Sequence, residues 1–145
     1  MTENLLQKLK SGKNIYGTCI VSTSPIWSKV VAGSGLDYVF LDTEHIPMDR
    51  TELTFLCQTY NAMGISPIVR IPSPDPFEAV KVKDAGAIGV IAPYIESVEQ
   101  IRQMVGATKF RPLKGERLQN VLHGKEELEP ELQAYLDNFN KGSMC

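Results

Sequence analysis

Cysteine is scarce in this 145-residue chain: there are three, Cys19, Cys57 and Cys145. The number is odd and no two lie two residues apart. Neither a disulfide framework nor a zinc knuckle is supported, and reduced thiols are expected. No apolar run approaches the ~18 residues of a membrane span. The opening Met-Thr-Glu-Asn-Leu-Leu-Gln-Lys-Leu lacks the basic head and apolar core of a secretory signal, so the expected location is cytoplasmic. A basic excess is missing too. Fifteen Lys and Arg stand against seventeen Asp and Glu, for a net charge of -2. That balance excludes the usual nucleic-acid binder and a basic membrane-surface protein. There is no Gly-x-x-x-x-Gly-Lys-[Ser/Thr] phosphate loop, no Gly-x-Gly-x-x-Gly after the first strand and no Gly-x-Ser-x-Gly elbow. Gly33-Ser34-Gly35 follows a helical stretch, which makes it a poor dinucleotide signal. What is present is the composition of one globular domain over residues 1–145, 43% hydrophobic and 22% charged, with no low-complexity segment or internal linker.

The chain alternates between two periodicities. An opening helix is expected at about 3–10, with Leu5, Leu6 and Leu9 on one face and Gly12 as its stop. A strand follows over 14–21. Ser24-Pro25 then reads as the N-cap and first residue of a helix carrying Ile26, Trp27, Val30 and Val31. Tyr38 to Leu41 is a short apolar run, the mark of a strand covered on both faces. Asp49 with Glu52 forms a capping box for a helix through Leu53, Leu56, Cys57, Tyr60 and Met63. Pro67 to Ile71 is the third strand, followed by a helix that starts at Asp75-Pro76 and ends at Gly86. Ile88 to Ala92 is the fourth strand, and Ser97 with Gln100 caps the helix after it. Strict alternation predicts a parallel sheet with right-handed crossovers. It fits either a doubly wound sheet or half of an eight-unit barrel. Beyond Thr108 the rhythm breaks. A loop is expected over 110–124. One helix is expected over 126–139, its start crowded by Glu126, Glu127, Glu129 and Glu131 as suits a positive helix end.

In parallel α/β folds the site gathers where the strands end. The second strand delivers Asp42, Thr43, Glu44 and His45 there, the third Arg70, the fourth Pro93 and Tyr94, and the first Ser22 to Ser24. Arg70 stands inside Ile68-Val69-Arg70-Ile71-Pro72, where a guanidinium is costly without an anion. Its planar fork suits a carboxylate or an enolate, and a structural ion pair with Asp42 or Glu44 suits it as well. His45 fits a general base, a metal ligand or a loop residue capping the next helix. Asp42 and Glu44 taken singly read equally as solvated loop acids. Asp84 reads locally as a helix-end acid, and His123 has no organised neighbours in the sequence.

Four ordered motifs carry a family resemblance: Phe40-Leu41-Asp42-Thr43-Glu44-His45, Pro67-Ile68-Val69-Arg70-Ile71-Pro72, Asp84-Ala85-Gly86-Ala87 and Ile91-Ala92-Pro93. From about Gly17 to Arg117 the chain resembles the HpcH/HpaI aldolases, which are metal-dependent class II pyruvate aldolases. The resemblance implies a TIM (β/α)8-barrel, here cut to about four β/α units plus a C-terminal helix. It implies His45 as catalytic base and Arg70 as the group that holds pyruvate and steadies its enolate. Asp84, from a neighbouring subunit, would raise the basicity of His45, and Asp42 and Glu44 would help bind substrate. It further implies a carbon–carbon lyase acting on 4-hydroxy-2-oxo acids, with pyruvate and an aldehyde as products. The implied partners are small molecules and a homo-oligomer, with neither nucleic acid nor membrane.

The family's divalent metal, Mg2+ or Mn2+, is bound by a Glu and an Asp on roughly the fifth and sixth strands. Those strands lie beyond this sequence, so no metal ligand is expected within it. The chain covers about half of a ~250-residue barrel. The expectation is a truncated, inactive piece of a longer enzyme. A barrel closed by two copies, a remnant half-barrel and a non-catalytic α/β interaction module are the alternatives. A complete five-stranded flavodoxin-like domain would need a further strand after the last helix.

Overall fold

The computed structural model describes residues 4–145. Residue 3, where the expected opening helix begins, lies outside them. Each strand–helix unit follows from its local chemistry. Helix α1 (Leu5–Lys10) is started by a capping box of Asn4 and Gln7. Strand β1 (Gly17–Ile20) leads to α2 (Ile26–Val31), whose cap position is Pro25. Ser24 therefore does not cap α2 as expected; its N–H is taken by the Ser22 hydroxyl, 3.2 Å away. Strand β2 (Tyr38–Asp42) leads to α3 (Arg50–Ala62), and the Asp49–Glu52 capping box is formed. Strand β3 (Ser66–Arg70) leads to α4 (Pro76–Ala85), with Asp75 as cap and Pro76 in the first turn. Strand β4 (Gly89–Ile91) leads to α5 (Val98–Lys109), closed by the Ser97–Gln100 box.

The four strands form one parallel sheet in the order β1-β2-β3-β4. Sequential order means the sheet never doubles back, as a doubly wound sheet must. The barrel-type alternative is the one observed. The register sets Phe40 beside Ile68 and Asp42 beside Arg70, with Arg70 beside Ile91. Alternation then divides the residues between two faces. Val39, Leu41, Val69 and Val90 lie under the helices, packed with Leu56, Tyr60, Val82 and Met104 in one continuous core. Cys19, Phe40, Asp42, Ile68, Arg70 and Ile91 share the other face, where Ile91 is 42% exposed. At Gly17 a Cβ would stand 2.3 Å from the Tyr38 ring, so a larger residue there requires that ring to move.

Past α5 the structure departs from expectation. The segment read as a loop contains α6 (Gly115–Leu122), which buries none of its residues. The last helix, α7, spans Pro130–Phe139 and not 126–139. The acids ahead of it serve another purpose: Arg117 donates to Glu126 at 2.9 Å and to both Glu129 oxygens at 2.7 and 2.6 Å. A single helical turn (Asn140–Gly142) follows. Met144 then forms a parallel bridge to Gly89 on the open edge of β4.

Candidate active site

The sharpest local feature is the end of β2. The Asp42 carboxylate accepts the backbone N–H of Glu44 at 3.0 Å and of His45 at 3.4 Å. One side chain thus bends the chain back over the strand end, as Asp does in such turns. Thr43 fastens the loop to β3, its N–H and hydroxyl both donating to the Arg70 carbonyl at 3.0 and 2.7 Å. Asp42 then receives Arg70 itself, Nε at 3.0 Å and Nη2 at 2.6 Å. This is a two-pronged, charge-assisted pair. The Arg70 hydrogen bonds first, and then the two backbone N–H groups, hold Asp42 below the usual carboxylate range against the opposing effect of burial. The pair in turn raises the Arg70 pKa. The guanidinium also lies 5.6 Å from the Phe40 ring centre, within cation–π range.

Glu44 sits beside this pair with its side chain only 9% exposed. Its Oε2 is 3.1 Å from Arg70 Nε, yet the alignment makes no hydrogen bond and Oε2 has no other partner. Its Oε1 is 3.5 Å from His45 Nε2. The imidazole, 63% exposed, is the open edge of the group. Among the described residues Arg70 Nη1 makes no hydrogen bond, the guanidinium's bonds being made by Nε and Nη2. The structure therefore brings four of the five expected residues, Asp42, Glu44, His45 and Arg70, onto one rim of two adjacent strands. Arg70 is ion-paired to both Asp42 and Glu44, and its side chain is 27% exposed. Asp84 does not join them; it ends α4 and pairs with Arg111. His123 has partners that its sequence context does not suggest, Nδ1 at 2.8 Å from the Gln119 carbonyl and Nε2 at 3.4 Å from Glu99.

Two residues join the rim without having been assigned a role. Cys19 projects from β1 onto the same face, its thiol raised in pKa by partial burial and by Asp42. Tyr94 follows β4, and Glu44 raises the pKa of its phenol. Only the strand-end position of Tyr94 is visible in the sequence. Its left-handed backbone, at φ +54°, is a product of the fold.

The fit of a divalent metal can be tested on these donors. Both Asp42 oxygens are engaged by Arg70. Glu44 offers one unpartnered oxygen, but a guanidinium stands against it. Among the described residues no group of three or more His, Cys, Asp or Glu is placed to hold a metal ion. These residues alone do not make a metal centre. No helix among the described residues is long and apolar enough to cross a membrane.

This rim can be compared with known proteins. A 2-dehydro-3,6-dideoxy-6-sulfogluconate aldolase of Pseudomonas putida is 32% identical over 105 residues, covering 72% of this chain and 41% of the relative. A hydroxypyruvate/pyruvate aldolase of Roseovarius nubinhibens is 30% identical over 111 residues, covering 77% of this chain and 43% of the relative. The chain thus spans less than half the length of these curated relatives. The crystal structure of an HpcH/HpaI aldolase from Desulfitobacterium hafniense superposes with a TM-score of 0.74 at 25% identity, covering 99% of this chain and 56% of that one. The family model for the HpcH/HpaI aldolase/citrate lyase domain matches residues 16–131, which takes in all four strands and the whole rim, and the chain belongs to that family.

Proposed function

We propose that this chain carries the 2-oxo-acid-binding half of a pyruvate-class aldolase, a carbon–carbon lyase that cleaves 4-hydroxy-2-oxo acids to pyruvate and an aldehyde. The observation that carries the reading is the rim itself. One guanidinium with donors to spare, an exposed imidazole and a buried carboxylate between them stand at the ends of adjacent strands. Arg70 would hold the substrate's carboxylate and 2-oxo oxygens. His45, through a water, would take the proton of the 4-hydroxyl group. The C3–C4 bond then breaks, the C4 carbon leaves as the aldehyde, and the bonding pair passes into the enolate of pyruvate. Arg70 would face that negative charge as it develops. The enolate regains a proton at C3 to give pyruvate. Asp84 would support His45 from a second copy in a homo-oligomer, since within one chain it pairs with Arg111. A divalent metal, Mg2+ or Mn2+, enters this reading only through ligands from outside the four strands. The pyruvate-aldolase names among the relatives support this substrate class.

The test is binding. Oxalate, a planar mimic of the pyruvate enolate, is titrated into the chain and followed by amide NMR shifts. The expected result is a saturable response at residues 42–45 and 70. It should fall about tenfold or more in Arg70→Ala, in line with ~1.5–3 kcal/mol for a hydrogen bond to a charged group. Arg70→Lys should recover part of it, because an ammonium lacks the fork. Thermal melting of each variant separates lost binding from lost folding. Equal binding by a folded Arg70→Ala would reduce Arg70 to a structural ion-pair partner and favour the non-catalytic module.

A further inference from the structure

Helices α4, α5, α6 and α7 border a second cleft, of about 660 Å3, which contains none of the rim residues Asp42, Glu44, His45 and Arg70. That volume is typical of a small-molecule site. Its walls are aromatic and apolar. Phe77 of α4 and Tyr135 and Phe139 of α7 line it, and they are 77%, 52% and 37% exposed. Tyr135 and Phe139 stack, with ring centres 6.2 Å apart and planes 15° from parallel. Leu118 and Leu122 of α6 belong to the same lining. Helix α6 is set close against α5 at Gly106, where a Cβ would stand 2.7 Å from Leu122. It still buries none of its residues, so its apolar side chains are only partly covered. Large apolar side chains gathered in one concavity mark a binding surface, whereas single ones scattered over a protein do not. The charges at the cleft are Asp84, Arg111 and Lys114. Arg111 is paired with Asp84. The Lys114 side chain makes no ion pair or hydrogen bond among the described residues. The cleft therefore joins aromatic walls to one uncompensated positive charge.

We propose that this cleft binds a planar aromatic carboxylate, its ring system among Phe77, Tyr135 and Phe139 and its carboxylate toward Lys114. Burial of flat apolar surface and ring stacking supply the attraction. The unpaired ammonium sets the sign of the ligand: a cation would meet Lys114 and Arg111, and a neutral ring would leave Lys114 without a partner. The site stands apart from the rim and does not depend on how the rim is read.

The experiment titrates 2-naphthoate into the intact chain by amide NMR, with the neutral 2-naphthalenemethanol alongside. The expected result is a saturable response to naphthoate at residues 106, 107, 118 and 122, with weaker binding of the alcohol. Lys114→Gln should weaken naphthoate about two- to fivefold, the scale of an exposed ion pair, and leave the alcohol unchanged. Phe77→Ser removes an exposed wall, so it should fold normally and weaken both ligands. Gln119→Trp, also exposed, should fill the cleft and abolish both responses. Thermal melting of each variant confirms that it is folded. Since Arg70 also attracts carboxylates, the map of shifts separates the two sites. A naphthoate response confined to residues 42–45 and 70 overturns the proposal and leaves the rim reading standing. No saturable response at the cleft, or equal affinity for acid and alcohol, overturns it as well. So does unchanged binding in folded Phe77→Ser and Gln119→Trp. Sedimentation of the free chain gives the last outcome: a dimer whose dissociation on dilution shifts the cleft amides would show that a second copy fills the cleft, and would overturn the small-molecule reading.

Discussion

Asp42 does two jobs with one carboxylate. It folds the loop that carries Glu44 and His45, and it pins the guanidinium of Arg70. This has a consequence for pH. The folded-state pKa of Asp42 lies below its ordinary value of 3.8. Its contribution is therefore fully present above the unfolded value and is lost as pH falls through the lower, folded one. The urea midpoint of the wild type should drop between pH 5 and pH 3, and that of Asp42→Asn should be lower but flatter. At pH 7 the substitution should cost on the order of 2 kcal/mol, since it weakens charge-assisted bonds at a residue only 6% exposed. At this scale the sequence was partly legible. An arginine in an apolar strand announces an anion nearby, and the spacing of strand ends says which acids share its rim. The unbonded oxygen of Glu44 and the left-handed turn at Tyr94 are outcomes of packing between β2, β3 and β4, with no local signature.

Among the elements, those with local causes were readable. The boxes Asp49–Glu52 and Ser97–Gln100 and the Asp75-Pro76 start are short-range chemistry, so their helices lie where the residues predict. Helix α6 was missed because Pro112, Gly115 and Gly124 surround it with breakers and because it buries no residue. The acids before α7 suggested an early helix start, but their charge is spent on Arg117. Helix α4 carries a further consequence at its end. Lys83 donates to the carbonyls of Ala87 and Ile88 at 2.8 and 3.3 Å and to the Ser143 hydroxyl at 2.9 Å. The charged groups around it are Lys109, Arg111 and Cys145. Burial, then Lys109 and Arg111, push its pKa down from 10.5 to about 8. For a cation depressed in this way the charge penalises the fold below pH 8 and is relieved between 8 and 10.5. Stability should therefore rise over that window in the wild type and less so in Lys83→Met, as read from urea midpoints at pH 7.5, 9 and 10.

The whole molecule is a parallel sheet whose helix-free face lies open, with Ile91 on it exposed. It spans 41% and 43% of the two curated relatives compared. The proposed base and anion site lie at the ends of the strands present, and the described residues supply no metal cluster. The isolated chain should therefore show no meaningful retro-aldol turnover of a 4-hydroxy-2-oxo acid, with or without Mg2+ or Mn2+. Robust turnover abolished by a chelator would show that these strands hold a complete site. The bridge from Met144 to Gly89 bears on how the sheet assembles. The three strand pairings join neighbouring segments of the chain, whereas this bridge joins residues 89 and 144 and encloses α5, α6 and α7. Closing so long a loop costs more chain entropy than pairing adjacent strands; at the bridge itself two backbone hydrogen bonds form, Met144 N–H to Ile88 and Val90 N–H to Met144, with the Lys83 and Lys109 ammonium groups held on Ser143 beside them. Those two amides should accordingly exchange with deuterium well ahead of the amides paired between β2 and β3, opening as a local unit while the rest of the sheet stays shut.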